Sequence, residues 1–328
     1  MAIREAFARA EKEPSAWSAL EYQVVQVEGR ASSQRIWTGR TSSGLLTAFF
    51  ESGDHQLLDI DVSQVVHLAS ATISNEHGES LRAVQVQCLD SRLDEVFHSF
   101  LEDVVEAVDA GQPVLNALAG TANEWRRLLS VARKGISEAS VRGLHGELCI
   151  LRDMVEAVGP RALEMWAGPE GERHDFVGRQ LSIEVKTASL QNRQSVTIHG
   201  LRQLDPSEGN ALHLAVIEIE PHPQGQTILD LVEQLIDAGV SESALRAKLA
   251  SAGYVVGMPG SHGHRLKLVG QKFWEIRPDT PVLRRSALHE ATVNAVSDLR
   301  YSLDLSALGD DFKTSFDYCL FADGSAHE

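Results

Sequence analysis

The segment His174-Asp-Phe-Val-Gly-Arg-Gln-Leu-Ser-Ile-Glu-Val-Lys186 decides how this chain is read. Leu181, Ile183 and Val185 are apolar and alternate with Ser182, Glu184 and Lys186, the period of a strand with one packed and one polar face. Glu184 and Lys186 therefore share a side. Gly178-Arg179-Gln180 supplies turn chemistry upstream, and a hairpin through it brings Asp175 across the ladder from Glu184. Two close carboxylates repel unless a cation lies between them. Mg²⁺ takes oxygen ligands and keeps several waters, so two carboxylates form a minimal site. A solvated strand face bearing an ordinary charge pair is the competing reading of the same letters.

Working outward, residues 137–158 predict an amphipathic helix, with Val141, Leu144, Leu148, Leu151, Val155 and Val158 at spacings of three and four. Ser137 is its expected N-cap and Gly159-Pro160 its stop. Glu147 falls on the flank of the apolar stripe, where a carboxylate needs a partner or an ion; an ion pair with Arg142 is the alternative to a metal-site role. Gly143 and Gly146 leave room for another element to approach.

The order helix glutamate, Asp, Glu-x-Lys resembles the PD-(D/E)XK nuclease superfamily over roughly residues 137–220. Gly143-Leu-His-Gly-Glu-Leu148, Trp166-Ala-Gly-Pro169, His174-Asp-Phe176 and Ile183-Glu-Val-Lys-Thr187 are similar to a bacterial family of PD-(D/E)XK motif proteins often encoded in restriction and phage-defence loci. His174 stands where the superfamily name has Pro. The resemblance implies an α/β (α+β overall) chain with a restriction-endonuclease-like core, a four-stranded mixed sheet flanked by helices. It implies Mg²⁺ or Mn²⁺ held by Asp175, Glu184 and the Val185 carbonyl, with Glu147 joining directly or through water. Lys186 would orient the attacking water or help remove its proton. The implied activity is metal-dependent hydrolysis of DNA phosphodiesters; the alternative is a catalytically silent nuclease-like module used for binding or assembly. Protein partners from the same defence locus are expected, and a homo-oligomer is compatible.

Downstream, residues 195–199 predict a strand and residues 211–219 a central one. Residues 227–238 and 241–252 predict helices, and residues 254–256, 265–269, 273–276 and 296–305 further strands, either extending the nuclease sheet or forming their own layer. Gln191 and Gln203 flank the strand at 195–199 and, with Arg142, are candidate nucleic-acid contacts, or polar groups of ordinary loops. His262 and His264 sit in a Gly-rich turn with no third ligand in view, so a solvated loop is expected there.

Upstream, residues 1–12 predict a short helix. Residues 20–90 alternate as antiparallel strands at 22–27, 45–50, 57–62 and 81–89, making a β-rich N-terminal module. Helices follow at 93–110 and 113–132, the second broken near Gly120. The expected division is 1–120 for this module and 121–328 for the nuclease-like domain. The module contains no zinc-finger, leucine-zipper or helix-turn-helix pattern.

The 328 residues suffice for two cores, and no apolar run suggests a membrane span or a secretory signal. Cys88, Cys149 and Cys319 are far apart and odd in number, which fits a reducing cytoplasm and no disulfide framework. The net charge of −16 is unusual for a free-standing DNA binder and predicts weak intrinsic affinity with recruitment by a partner. Residues 121–205, with twelve Lys/Arg and eleven Asp/Glu, are the stretch that is not clearly acidic.

Overall fold

The computed structural model of the chain describes residues 2–12, 22–28, 34–53, 59–74, 80–189, 194–207, 209–261 and 264–322. Two compact units emerge, one of Met1–Ile136 with Gly253–Gly260 and one of Ser137–Ala252 with Ser261–Glu328. The division falls after Ile136, not at residue 120, because the helix expected at 113–132 packs within the N-terminal unit.

The first unit begins with α1 (Ala2–Lys12), followed by β1 (Tyr22–Gln26), β2 (Ile36–Thr41), β3 (Leu46–Glu51), β4 (Asp59–Asp61), β5 (Val66–Ser74) and β6 (Ser80–Cys88). These strands form one antiparallel sheet in the order β1-β2-β3-β6-β5-β4. Two of them, β2 and β5, do not alternate cleanly in sequence and were not expected. Phe49, Trp37 and Val24 pack together on one face with Ile73 and Ala83. Next come α2 (Asp94–Asp109) and α3 (Val114–Lys134), packed on each other with Phe100 edge-on to Trp125 at 5.9 Å. Contrary to the expected break, α3 runs unbroken through Gly120, since the Ala- and Leu-rich residues around it outweigh one glycine.

The second unit opens with α4 (Glu138–Val158), capped by Ser137, whose hydroxyl accepts from the Ser140 N–H. Then follow α5 (Ala162–Met165), β7 (Phe176–Val177), β8 (Leu181–Ala188), β9 (Ser195–His199), β10 (Ala211–Gln226), α6 (Ile228–Asp237) and α7 (Glu242–Ser251). The chain closes with β11 (Leu266–Glu275), α8 (Glu290–Ala295), β12 (Arg300–Asp304) and α9 (Cys319–Ala322). The main sheet runs β11-β10-β8-β7, with β8 and β10 parallel and both outer pairs antiparallel, so it is four-stranded and mixed. Residues 266–275 form one strand where two were expected, and residues 254–256 form none. Both possibilities for the C-terminal strands are realised: β11 extends the sheet, while β12 pairs with β9 as a separate layer.

Register assigns the faces. Glu184 lies beside Leu214 and Lys186 beside Val216 on adjacent parallel strands. Leu212, Leu214 and Val216 pack with Val196, Ile198 and Leu303 of the β9–β12 layer, so Glu184 and Lys186 belong to that side. The other side carries Val185, Thr187 and Ile217, against which α4 rests. A Cβ at Gly146 would come 2.5 Å from Thr187 Cγ2, so the missing side chain sets how closely helix meets sheet.

Candidate active site

The edge of the sheet brings the acidic groups together. β7 pairs only Phe176 with Ile183 and Val177 with Ser182, which sets Asp175 opposite Glu184. Beyond this short strand the Val185 N–H would lack a ladder partner, and Asp175 Oδ2 accepts it at 2.7 Å. The tight turn expected from Gly178-Arg179-Gln180 closes this hairpin, with the Gly178 N–H donating to Leu181 O at 2.8 Å. On β8, Lys186 Nζ donates to Glu184 Oε1 at 2.6 Å, as a shared side allows.

Residues Trp166–Glu170 bind the parts together. The Ala167 and Gly168 N–H groups donate to Asp175 O at 2.9 and 3.0 Å, and the Trp166 indole donates to Glu147 Oε2 at 2.8 Å. A Cβ at Gly168 would lie 2.9 Å from Asp175 Oδ1 and 3.5 Å from Glu147 Oε2. Two carboxylates thus flank a space that is open because residue 168 is glycine. Lys248 of α7 secures the segment from behind, donating to Trp166 O at 2.6 Å and pairing with Glu170 at 3.0 Å.

Electrostatics mark this cluster as unusual. Desolvation, then the charge of Asp175, pushes Glu147 up to about 8 despite the indole hydrogen bond. Burial raises Asp175 against the pull of Lys186 and the Val185 N–H. Burial and Asp175 hold Glu184 well above the ordinary carboxylate range, although Lys186 is bonded to it. Desolvation alone would depress Lys186, but Glu184, Asp175 and Glu147 outweigh it and raise the amine. Both members of the Glu184–Lys186 pair therefore hold protons more tightly than usual. The cause is common to both: three carboxyl groups share one ammonium in a poorly solvated place.

Such a group suits a hard divalent cation, which favours oxygen donors and relieves their repulsion. Glu147, Asp175 and Glu184 each spend one oxygen on an N–H or ammonium group. Among the described residues, no three or more His, Cys, Asp or Glu side chains are already gathered into an ion cage. The fit is therefore to an ion bound by one or two carboxylates and otherwise by water. Glu147, Asp175 and Lys186 are only partly buried, so water has access to the cluster.

Arg142 and Gln203 make their hydrogen bonds outside the acidic cluster. Arg142 donates to Ile219 O at 3.2 Å and not to Glu147. Gln203 uses its amide oxygen to accept from the His199 N–H at 2.8 Å. Gln191 and His262 lie outside the described residues. His174 is buried, and desolvation holds it down to about 4, a neutral packing ring beside Asp175. Cys149 is likewise buried, its thiol pushed up to about 11 by desolvation. Sequence reasoning assigned no role to Trp166, Gly168 or Lys248; a Trp-Ala-Gly-Pro run between helix and hairpin was the available signal.

Comparison with known proteins agrees with this geometry. Residues 7–306 match the family described as "Putative PD-(D/E)XK family member, (DUF4420)". No curated protein and no solved structure gives a match. The match extends through both units, from α1 to the residues after β12, so the β-rich N-terminal sheet is part of the family pattern along with the acidic cluster. The chain belongs to this PD-(D/E)XK family.

Proposed function

We propose that this protein is a divalent-metal-dependent nuclease that hydrolyses DNA phosphodiesters. The observation that carries the reading is the meeting of Glu147, Asp175, Glu184 and Lys186 in a place short of positive charge. Asp175, Glu184 and the Val185 carbonyl would hold Mg²⁺ or Mn²⁺, with Glu147 joining directly or through water. The bound ion would supply charge stabilisation for the phosphate and a more acidic water. Lys186, held by Glu184, would orient the attacking water through its ammonium group. The Trp166 indole orients Glu147, and Gly168 keeps the space between Glu147 and Asp175 open.

The biological setting we favour is a bacterial restriction or anti-phage system in the cytoplasm, with partner proteins from the same locus. No helix among the described residues is long and apolar enough to cross a membrane. A catalytically silent binding module is the second reading, favoured by the net charge of −16.

The decisive experiment incubates the full chain with Mg²⁺ or Mn²⁺ and single- or double-stranded DNA, alone and with products of neighbouring genes. Asp175→Ala and Lys186→Ala should each reduce cleavage at least about 100-fold while circular dichroism stays unchanged. Undiminished cleavage in either variant removes the assigned chemistry. If DNA survives every condition and Mn²⁺ does not bind, the silent-module reading replaces it.

A further inference from the structure

The N-terminal unit is acidic overall: its residues 1–136 and 253–260 carry twelve Lys/Arg and nineteen Asp/Glu. Four of those cations nevertheless line one cavity of about 610 Å³. Arg126, Ser130, Arg133 and Lys134 are exposed along a single stripe of α3, set by helical spacing. Arg92, in the helical turn before α2, and Gln64, between β4 and β5, complete the polar lining. Among the described residues, no Asp or Glu lines the cavity.

The pairing of these cations is incomplete. Arg92 is bonded to Asp90 at 2.6 Å, and Arg133 donates to Gln64 Oε1. Arg126 and Lys134 have neither a hydrogen bond nor an ion pair among the described residues. Like charges collected around a concavity repel one another and concentrate anions from solution. Guanidinium groups match phosphate oxygens two at a time, and hydroxyl and amide groups such as Ser130 and Gln64 add neutral hydrogen bonds.

We propose that this cavity grips the phosphate backbone of a nucleic acid. From Arg126 to Lys134 the helix rises about 12 Å. A nucleic-acid strand carries one charge per ~3.4 Å of axis, so several consecutive phosphates are needed to satisfy such a row. Contacts to phosphate carry no sequence information, so the grip is indifferent to base order. Choosing a nucleic acid over other polyanions rests on the nuclease reading; the binding itself needs no working catalytic centre.

The test is fluorescence anisotropy of labelled single- and double-stranded DNA with the full chain in EDTA, where metal-dependent cleavage is silent. The Arg126→Ala/Lys134→Ala double variant changes exposed side chains only. It should bind at least ten-fold more weakly, with a log–log salt slope shallower by about 2. Asp175→Ala should retain the unmodified chain's contribution from this cavity, seen as the same loss when the double change is added. Unchanged affinity and slope in the double variant overturn the proposal. So does tight binding of inorganic phosphate alone at this cavity, which would make it a small-anion site. A chain that cleaves no DNA yet binds it through Arg126 and Lys134 sinks the nuclease reading and keeps this one. A chain that cleaves DNA while the double variant binds normally does the reverse.

Discussion

Glu51 of the N-terminal unit and Glu184 of the C-terminal unit are both strand glutamates that hold a cation, and they respond in opposite ways. Arg35 grips Glu51 with two hydrogen bonds, at 2.9 and 2.7 Å, and this holds the carboxyl below its ordinary range. Lys186 approaches Glu184 as closely, at 2.6 Å, yet Glu184 is raised. The difference is in the surroundings. The Glu51 side chain is 28% exposed, whereas that of Glu184 is 1% exposed and shares its ammonium with Asp175 and Glu147. A salt bridge that completes its own charge balance holds a surface together. One that leaves two carboxylates unbalanced creates a demand for a further cation.

Filling the space at Gly168 should break this contrast most severely. In Gly168→Ala the new methyl meets Asp175 at both Oδ1 and Cα, and Asp175 is fixed by two backbone hydrogen bonds. Displacement of Asp175, the carboxylate proposed to hold the metal, should lower cleavage on the order of 100-fold, measured by initial rates in Mg²⁺, with little change in Tm. A rate close to that of the unmodified chain would show that the space is not used.

Gly146→Ala tests the support beneath the cluster. Its methyl collides with stiff, β-branched Thr187, so α4 must lift from β8. The expected cost is about 1–3 kcal/mol in denaturant unfolding. Cleavage should suffer too, because Glu147 rides on the same helix.

Smaller and opposite in sign are the two glutamate-to-glutamine changes. Glu147→Gln removes a carboxylate from the crowded group, so the metal-free protein should become more stable at pH 8. The sign follows from the proton balance. In the folded chain Glu147 titrates at about 8, against an ordinary value of 4.5. The unfolded chain loses that proton first, so stability falls as pH rises between these values. The fall in Tm across that range, measured in EDTA, should flatten in the variant, with Asp175 and Glu184 supplying the remainder. Glu51→Gln should instead destabilise, by at most about 1 kcal/mol, because it weakens a balanced, partly exposed pair.

The acidic cluster was largely legible because its determinants are local. Alternation from Leu181 to Lys186 fixed the shared side of Glu184 and Lys186, and the turn at Gly178 fixed the register of Asp175. Helical spacing placed Glu147 at the edge of the packed face of α4. Long-range supports were not legible: Trp166 meets Glu147 across 19 positions and Lys248 meets Trp166 across 82. Nothing in either neighbourhood marks the other. The strands β2 and β5 escaped for a different reason. Trp37, Thr38 and Gly39 interrupt alternation in the first, and small residues from Ala69 to Thr72 blur it in the second, so pairing with β3 and β6 decides their conformation.

The anchoring of Trp166 by Lys248 also bears on any attempt to trim the molecule. A fragment ending after the last motif letter would still carry Glu147, Asp175, Glu184 and Lys186, yet it would lack the ammonium that pins the tryptophan carbonyl from α7. The acidic cluster is spelled early in this domain, but the brace that keeps it in order is supplied later.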